Sequence, residues 1–545
     1  MASLSSAASA SPSTSSGAAN PKAPTVPTQT GGPLTRRDAI RFLQRTTFGP
    51  TPEEVDELVA IGVDAWLDRQ LALRPVRTHL SRRIERGSTL PSFWETFLSA
   101  PDQLRKRYAY ALSQIFVASE IVVGNERIAN YADLLEQHCF GTYRELLEHI
   151  TRSQAMGQYL TYAGNQRADE YRGTVPDENY AREIMQLFSI GLWELNPDGT
   201  RKLDGDGNPI PTYSGADILG LARVFTGFSM PYGDLTVFTQ PMRSDDGFSR
   251  EWHEKGEKRF LGATIPADPA RTLDQSVAAA LDIVAAHPNV GPFIGRQLIQ
   301  RLVTSNPTPA YVARVSAVFD DDGDGVRGNL AAVLRAIVTD TEAFQFEPPV
   351  DFGKVREPVL RFTSVLRALR VSCTGHPWPL YSLADRASEL GQQPYEATSV
   401  FNYYRPGYVP PRTAIGDAGL VAPELQITDE TTTIGWLNYL QAFLMRPPQG
   451  GNARIELDID DLLAMAPDLT VTDAEAEAIV DEVAGRLCPF GLDATIRARI
   501  VAAVRGVSNP NLAPGDTNNR NQLFRERVMG AVVLVAASTD FIYDR

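Results

Sequence analysis

The sequence predicts a large, mainly α-helical protein with long Gly/Pro/aromatic-rich loops and few short strands. Three observations carry that expectation. Helix-start signals recur along the chain, apolar residues repeat at three- to four-residue spacing, and long two-residue alternations are scarce.

The elements follow in order. The segment opened by Thr35-Arg36-Arg37 reads as an amphipathic first helix rather than an export signal, because Arg41, Gln44 and Arg45 interrupt the apolar stretch that a twin-arginine leader needs. Thr51-Pro52-Glu53-Glu54 joins a capping hydroxyl, a proline at the first helical position and a carboxylate at the third, and so provides for amides that lack partners in the first turn. Val55, Leu58 and Val59 continue as an apolar stripe, and Gly62 closes the helix. The same box recurs at Thr142–Glu145 and Ser214–Asp217, and Thr308-Pro309 offers cap and proline without the acid. Further helices are expected over 102–119, 130–138, 178–190, 272–286, 290–303, 328–338, 355–369, 430–445, 472–486, 492–504 and 520–536. Short β pieces fit 258–264 and 453–460, while the β-branched stretch Val528–Val535 suits a buried helix or a strand.

Composition shifts divide the chain. Residues 1–34 are a Ser/Ala/Pro-rich tail with too little apolar content to offset the entropy of ordering. A helical main domain over 35–370 is followed by an irregular aromatic-rich region, 371–428, and a C-terminal helical part, 429–545, expected to lie against the main domain. Residues 192–213 and 230–258 are further Gly/Pro/Asp-rich loops.

Charge excludes one class of partner. Acidic residues exceed basic ones by 66 to 52, for a net charge of -14, and no long Lys/Arg block offsets this, so nucleic acid is not an expected partner. No run of 18 apolar residues occurs, and no membrane span is expected. The three cysteines, Cys139, Cys373 and Cys488, are too few for a disulfide framework, although one bridge stays open.

Asp177-Glu178-Asn179-Tyr180-Ala181-Arg182-Glu183-Ile184-Met185-Gln186-Leu187-Phe188-Ser189-Ile190-Gly191 reads as a helix with Asp177 as cap and Gly191 as exit. Glu178 and Arg182 stand four apart, as do Asn179 and Glu183, which gathers four polar side chains on adjoining faces. Such a cluster can hold a substrate or can anchor the preceding loop. Together with Phe42–Thr51, Leu221–Phe228, Leu261-Gly262, His287-Pro288 and Phe293–Leu298, this segment is similar to the bacterial proteins grouped as domain of unknown function 1800, DUF1800. The resemblance runs from about residue 38 through 370, and more loosely onward. It implies a predominantly helical protein, commonly periplasmic or secreted and often encoded beside a sulfatase-like protein, and it implies no particular reaction. Asp177 stands where many members have Asn, and no signal peptide is visible in this chain.

Candidate chemistry is scattered. His253, in Trp252-His253-Glu254-Lys255-Gly256-Glu257-Lys258, matches a His-Asp segment of the family that leads to a lysine, here Lys258, with Glu254 replacing the usual acid. A histidine beside carboxylates suits proton transfer, or hydrogen-bonds the loop backbone. Asp320, Asp322, Asp324 and Val326 occupy positions 1, 3, 5 and 7 of a calcium-type loop, with Gly325 at 6 and Ala331 in place of the closing acid at 12. A similarly spaced Asp204–Ile210 has Pro209 in the glycine slot. Tyr403, Tyr404 and Arg405, in Phe401–Tyr408, combine flat rings with hydrogen-bonding groups as a polysaccharide or related polar ligand requires.

Two functions are open to this sequence. One is a hydrolase or lyase acting on an extracellular polysaccharide, with Glu183 or Glu178 as acid or base, Arg182 orienting an anionic group, and His253 assisting proton transfer. The other is a non-catalytic helical scaffold or binding protein of the cell envelope.

Overall fold

The computed structural model describes residues 34–75, 78–86, 89–232, 235–244, 252–345, 348–349, 351–513 and 516–545. The tail read at 1–34 lies, but for Leu34, outside the described residues. Among the described residues helices dominate, from Arg36–Thr46 to Thr539–Ile542, and the strands form four antiparallel sheets of two or three strands each.

Local hydrogen bonding explains where helices begin. Thr51 accepts from the Glu54 amide while the Glu54 carboxylate takes the Thr51 amide, and the helix Pro52–Ile61 follows. The reciprocal box is also formed at Thr142, Ser214, Thr272 and Thr472. The expected helices appear with ends moved by a few residues, the largest change being 102–119, which contracts to Gln103–Ser113. Val528–Val535 lies within the helix Thr517–Ala536, and the β pieces form as Lys258–Phe260 with Ala263–Ile265, and as Ala453–Leu457. The helices Val63–Ala72, His79–Arg86 and Leu90–Ser99 have no counterpart in the sequence reading.

One apolar cluster runs from Ala39 to Phe541 and joins both ends of the described chain. Strand Tyr543–Asp544 pairs antiparallel with Lys354–Val355, and the Arg545 carbonyl accepts from Arg41 and Arg45 of the first helix. Between residues 371 and 428 regular structure is brief: strand Val371–Thr374, helix Ala414–Asp417 and the 3-10 turn Pro423–Ile427. This stretch is nonetheless anchored, because Gln392, Gln393, Tyr395 and Tyr404 are buried.

Among the described residues no single helix is long and apolar enough to cross a membrane. The helices Leu273–Ala286 and Val290–Leu302 would pass only as a pair bent by 74°, and their Leu281, Ile294 and Leu298 are fully buried in the protein core. All three cysteines are unpaired, which closes the disulfide left open by spacing.

Candidate functional site

The motif helix forms as Asn179–Gln186. Asp177 lies just before it, accepting the Asn179 amide at 2.8 Å and a bond from the Thr161 hydroxyl at 2.8 Å. Beyond Gln186 the backbone tightens, and the Gly191 amide returns to the Met185 carbonyl at 3.0 Å. Gly191 has φ +70, and a Cβ there would lie 2.6 Å from the Phe293 ring. Glycine at this exit is what allows Phe293 to approach the motif.

The four polar residues of the motif do not act as one group. Glu178 and Arg182 pair at 3.2 Å on the surface. Asn179 turns its amide to Thr161 at 3.5 Å. Glu183 is buried, its Oε2 has no hydrogen-bond partner among the described residues, and burial raises its pKa against the smaller opposing effect of Arg182.

His253 lies elsewhere and is enclosed. Its Nδ1 donates to the Thr226 carbonyl at 2.8 Å, its Nε2 is 2.8 Å from the Ser276 hydroxyl, and the ring is 2% exposed. These bonds hold the turn after helix Gly215–Ala222 against helix Leu273–Ala286. Lys258 is wholly buried, donates to the Gly256 carbonyl at 3.1 Å, and has its pKa lowered to about 8 by burial, despite Glu254.

The acidic loop folds on itself. Asp320 pairs with Arg327, and Asp322 accepts the Asp324 and Val326 amides at 2.9 and 3.1 Å and the Asn329 amide group at 2.7 Å. The side chains of Asp320, Asp322 and Asp324 do not form a three-ligand group. Among the described residues that arrangement occurs at His79, Asp133 and Glu136, which offer ligand atoms within 4.8 Å of one another. There His79 Nε2 is 2.9 Å from Glu136, while Lys106 contacts the second oxygen of the same carboxylate. Burial alone would raise the Glu136 pKa, but Lys106 and His79 outweigh it and bring it to about 2. The three ligand atoms are spaced closely enough to hold a metal ion, and Lys106 is the cation on the second oxygen of Glu136 in this structure.

The aromatic region meets the motif. A cleft of about 610 Å³ joins Gln186, Leu187 and Gly191 at the motif's exit to Phe401, Arg405 and Tyr408. Trp193 and Phe293 add two more rings, and Gln114, Gln297 and Gln426 add amides to that of Gln186. Arg405 stands over the Phe401 ring at 4.8 Å and Arg201 over Trp193 at 5.8 Å, so a ring on each side carries a guanidinium. Among the described residues none of the lining side chains is acidic. Tyr403 and Tyr404 support the loop from behind: Tyr403 donates to the Glu396 carbonyl at 2.9 Å and Tyr404 to Glu357 at 2.8 Å.

Of the residues singled out in the sequence, the structure therefore places Arg405 in the cleft, with Glu183 one turn before Gln186 and His253 and Lys258 held in other contacts. Trp193, Gln297 and Arg301 were missed as site residues. The four-residue spacing of Gln297 and Arg301 on an expected helix was the available signal.

No curated protein and no solved structure matches this chain. A family model described as "Protein of unknown function (DUF1800)" matches residues 41–543, and the chain belongs to that family.

Proposed function

We propose that this protein binds a polysaccharide or related ring-bearing polar polymer in the cleft between the motif's exit and the loop Phe401–Tyr408. The observation that carries the reading is the lining itself. Trp193, Phe293, Phe401 and Tyr408 supply apolar faces, and the amides of Gln186, Gln297 and Gln426 lie among them, while that of Gln114 is turned to Glu357. Sugar rings require that combination of flat contact and directional hydrogen bonds. On this reading the protein works outside the cytoplasm, periplasmic or secreted, where such polymers lie, with a sulfatase-like protein as a candidate partner. Calcium would enter only at the Asp320–Val326 loop, by drawing Asp320 away from Arg327.

Titration calorimetry of the full chain with neutral and acidic oligosaccharides tests the proposal. Phe401→Ala and Trp193→Ala are each expected to weaken binding by roughly tenfold, the effect of losing ~1.4 kcal/mol of ring contact. Unchanged affinity in both variants would end it.

A hydrolase or lyase reading has one observation in its favour. Glu183 has a raised pKa and an unpartnered oxygen, as a general acid would, and sits one helical turn from Gln186 of the cleft. Glu183→Gln should then abolish release of shorter sugars while oligosaccharide affinity is kept. Equal turnover in the variant would leave binding alone.

A further inference from the structure

Two lining residues of the cleft carry donors without a hydrogen-bond partner among the described residues. Gln297 is 8% exposed and its Nε2 has no partner; Arg301 is 4% exposed and its Nε has none. They stand one turn apart on the helix Val290–Leu302, so they present to the same side of it. Arg301 is fixed in place, since another of its nitrogens donates to the Gln114 carbonyl at 2.6 Å and its own carbonyl accepts from Arg107 and Lys354. Leaving a buried donor unmatched costs about 1–3 kcal/mol, and Gln297 and Arg301 are the pair of such residues that stand one turn apart in the lining of this cleft.

The surrounding charge says which kind of ligand. Arg301 belongs to a buried charged group with the cations Arg107, Lys354, Arg356 and Arg361 and the carboxylates Glu357, Glu424 and Asp544. Lys354 pairs with Glu424 at 3.1 Å and Arg356 approaches Asp544 at 3.8 Å. Glu357 is occupied by neutral donors, Gln114 at 2.8 Å, Gln392 at 2.6 Å and Tyr404 at 2.8 Å. Arg107, Arg301 and Arg361 therefore have no direct ion pair among the described residues. Burial opposes the charge of all three and lowers the Arg361 pKa to about 10. Glu357 and Glu424 oppose these charges from within the protein, but the lining of the cleft itself carries Arg201, Arg301 and Arg405 and, among the described residues, no carboxylate, a surface that favours an anionic ligand.

We propose that Gln297 Nε2 and Arg301 Nε form an oxyanion subsite that takes a carboxylate or sulfate group carried by the bound polymer. The subsite rests on the reading of the cleft as a ligand site and narrows its ligand to acidic sugars. Ring contact with Phe401 and Trp193 would orient the sugar, and the buried guanidinium and amide would select the anionic one. Both groups keep their protons throughout, and no bond is made or broken.

The test has two arms on the full chain. In the first, the rise in Tm with inorganic sulfate over chloride at equal ionic strength is compared between wild type and Gln297→Leu, which removes the general salt effect common to both. In the second, calorimetry compares neutral, uronate-bearing and sulfated oligosaccharides of equal ring number. Expected are a sulfate-specific rise lost in Gln297→Leu, at least tenfold tighter binding of one acidic class over the neutral one, and loss of that preference in the variant. The acidic class preferred identifies the anion. Gln297→Glu, which places a negative charge in the subsite, provides a second variant if Gln297→Leu fails to fold, and it should repel acidic sugars while keeping neutral ones. An equal sulfate response in wild type and variant overturns the subsite. So does equal binding of neutral and acidic sugars that Phe401→Ala still weakens, and that outcome leaves the proposed cleft intact. A sulfate response specific to Gln297 with no sugar bound supports the subsite and removes the polysaccharide reading instead.

Discussion

Nε2 of His253 lies 2.8 Å from the hydroxyl of Ser276, while the other ring nitrogen holds the Thr226 carbonyl. The imidazole thus bridges two segments of the chain inside the protein and is shut off from any substrate. His253→Ala is expected to destabilise the fold by roughly 2–3 kcal/mol, because it leaves buried polar groups without partners. Oligosaccharide affinity of the folded fraction should stay within twofold. Chemical denaturation followed by calorimetry separates the two effects, and a loss of affinity without loss of stability would return His253 to the binding site.

Lys258 gives the fold a dependence on alkaline pH. The unfolded chain titrates this amine near ~10.4, whereas the folded protein releases its proton at about 8. Between those values the unfolded state binds more protons, so stability should rise with pH from about 8 to about 10, and the contribution is lost again as pH falls through 8. Lys258→Met should flatten that rise and leave the protein as stable or more stable at pH 7. Denaturation midpoints at several pH values check both statements.

Gly191 controls the distance between the motif and the cleft wall. Any Cβ would collide with Phe293, at a φ that side chains disfavour. Gly191→Ala should cost about 1–3 kcal/mol and shift Phe293 enough to weaken oligosaccharide binding several-fold. Wild-type affinity in a folded variant would show that this wall does not touch the ligand.

Lys106 is the cation of the buried His79–Asp133–Glu136 group. Lys106→Met should destabilise by about 3–5 kcal/mol, since it strands the Glu136 carboxylate. If a metal occupies the three ligands in the native protein, elemental analysis will find it at one equivalent. A divalent ion that stabilises Lys106→Met but not wild type would show that lysine and metal compete for one place.

Calcium is expected to leave the melting temperature unchanged within about 1 °C. Asp320 is held by Arg327, and position 12 of the loop is Ala331, inside the helix Leu330–Thr339. A calcium-dependent rise abolished by Asp322→Asn would assign the ion to this loop.

The helices were legible because their signals are local. Thr51 and Glu54 satisfy each other's amides within one turn, and the same chemistry at Thr142 and Ser214 needs no knowledge of the rest of the chain. The helix Leu90–Ser99 was missed for the complementary reason: Pro91 through Leu98 are all buried, so no polar face gives the segment a period. The cleft depends on approach between segments about 100 to 200 residues apart, with Gln186, Gln297 and Arg405 in one wall system, and residue spacing carries no trace of that. Glu178 and Arg182 show the opposite failure. Their four-residue spacing did form a pair, but on the surface, where such a pair contributes at most ~1 kcal/mol.

The strand Tyr543–Asp544 and the Arg545 carbonyl are ligatures for segments made much earlier, Lys354–Val355 and the helix Arg36–Thr46. During synthesis those earlier segments emerge hundreds of residues before their partners do. Arg41, Arg45 and the edge of Lys354–Val355 therefore stay without these partners until residues 543–545 have been made, so this part of the core closes late.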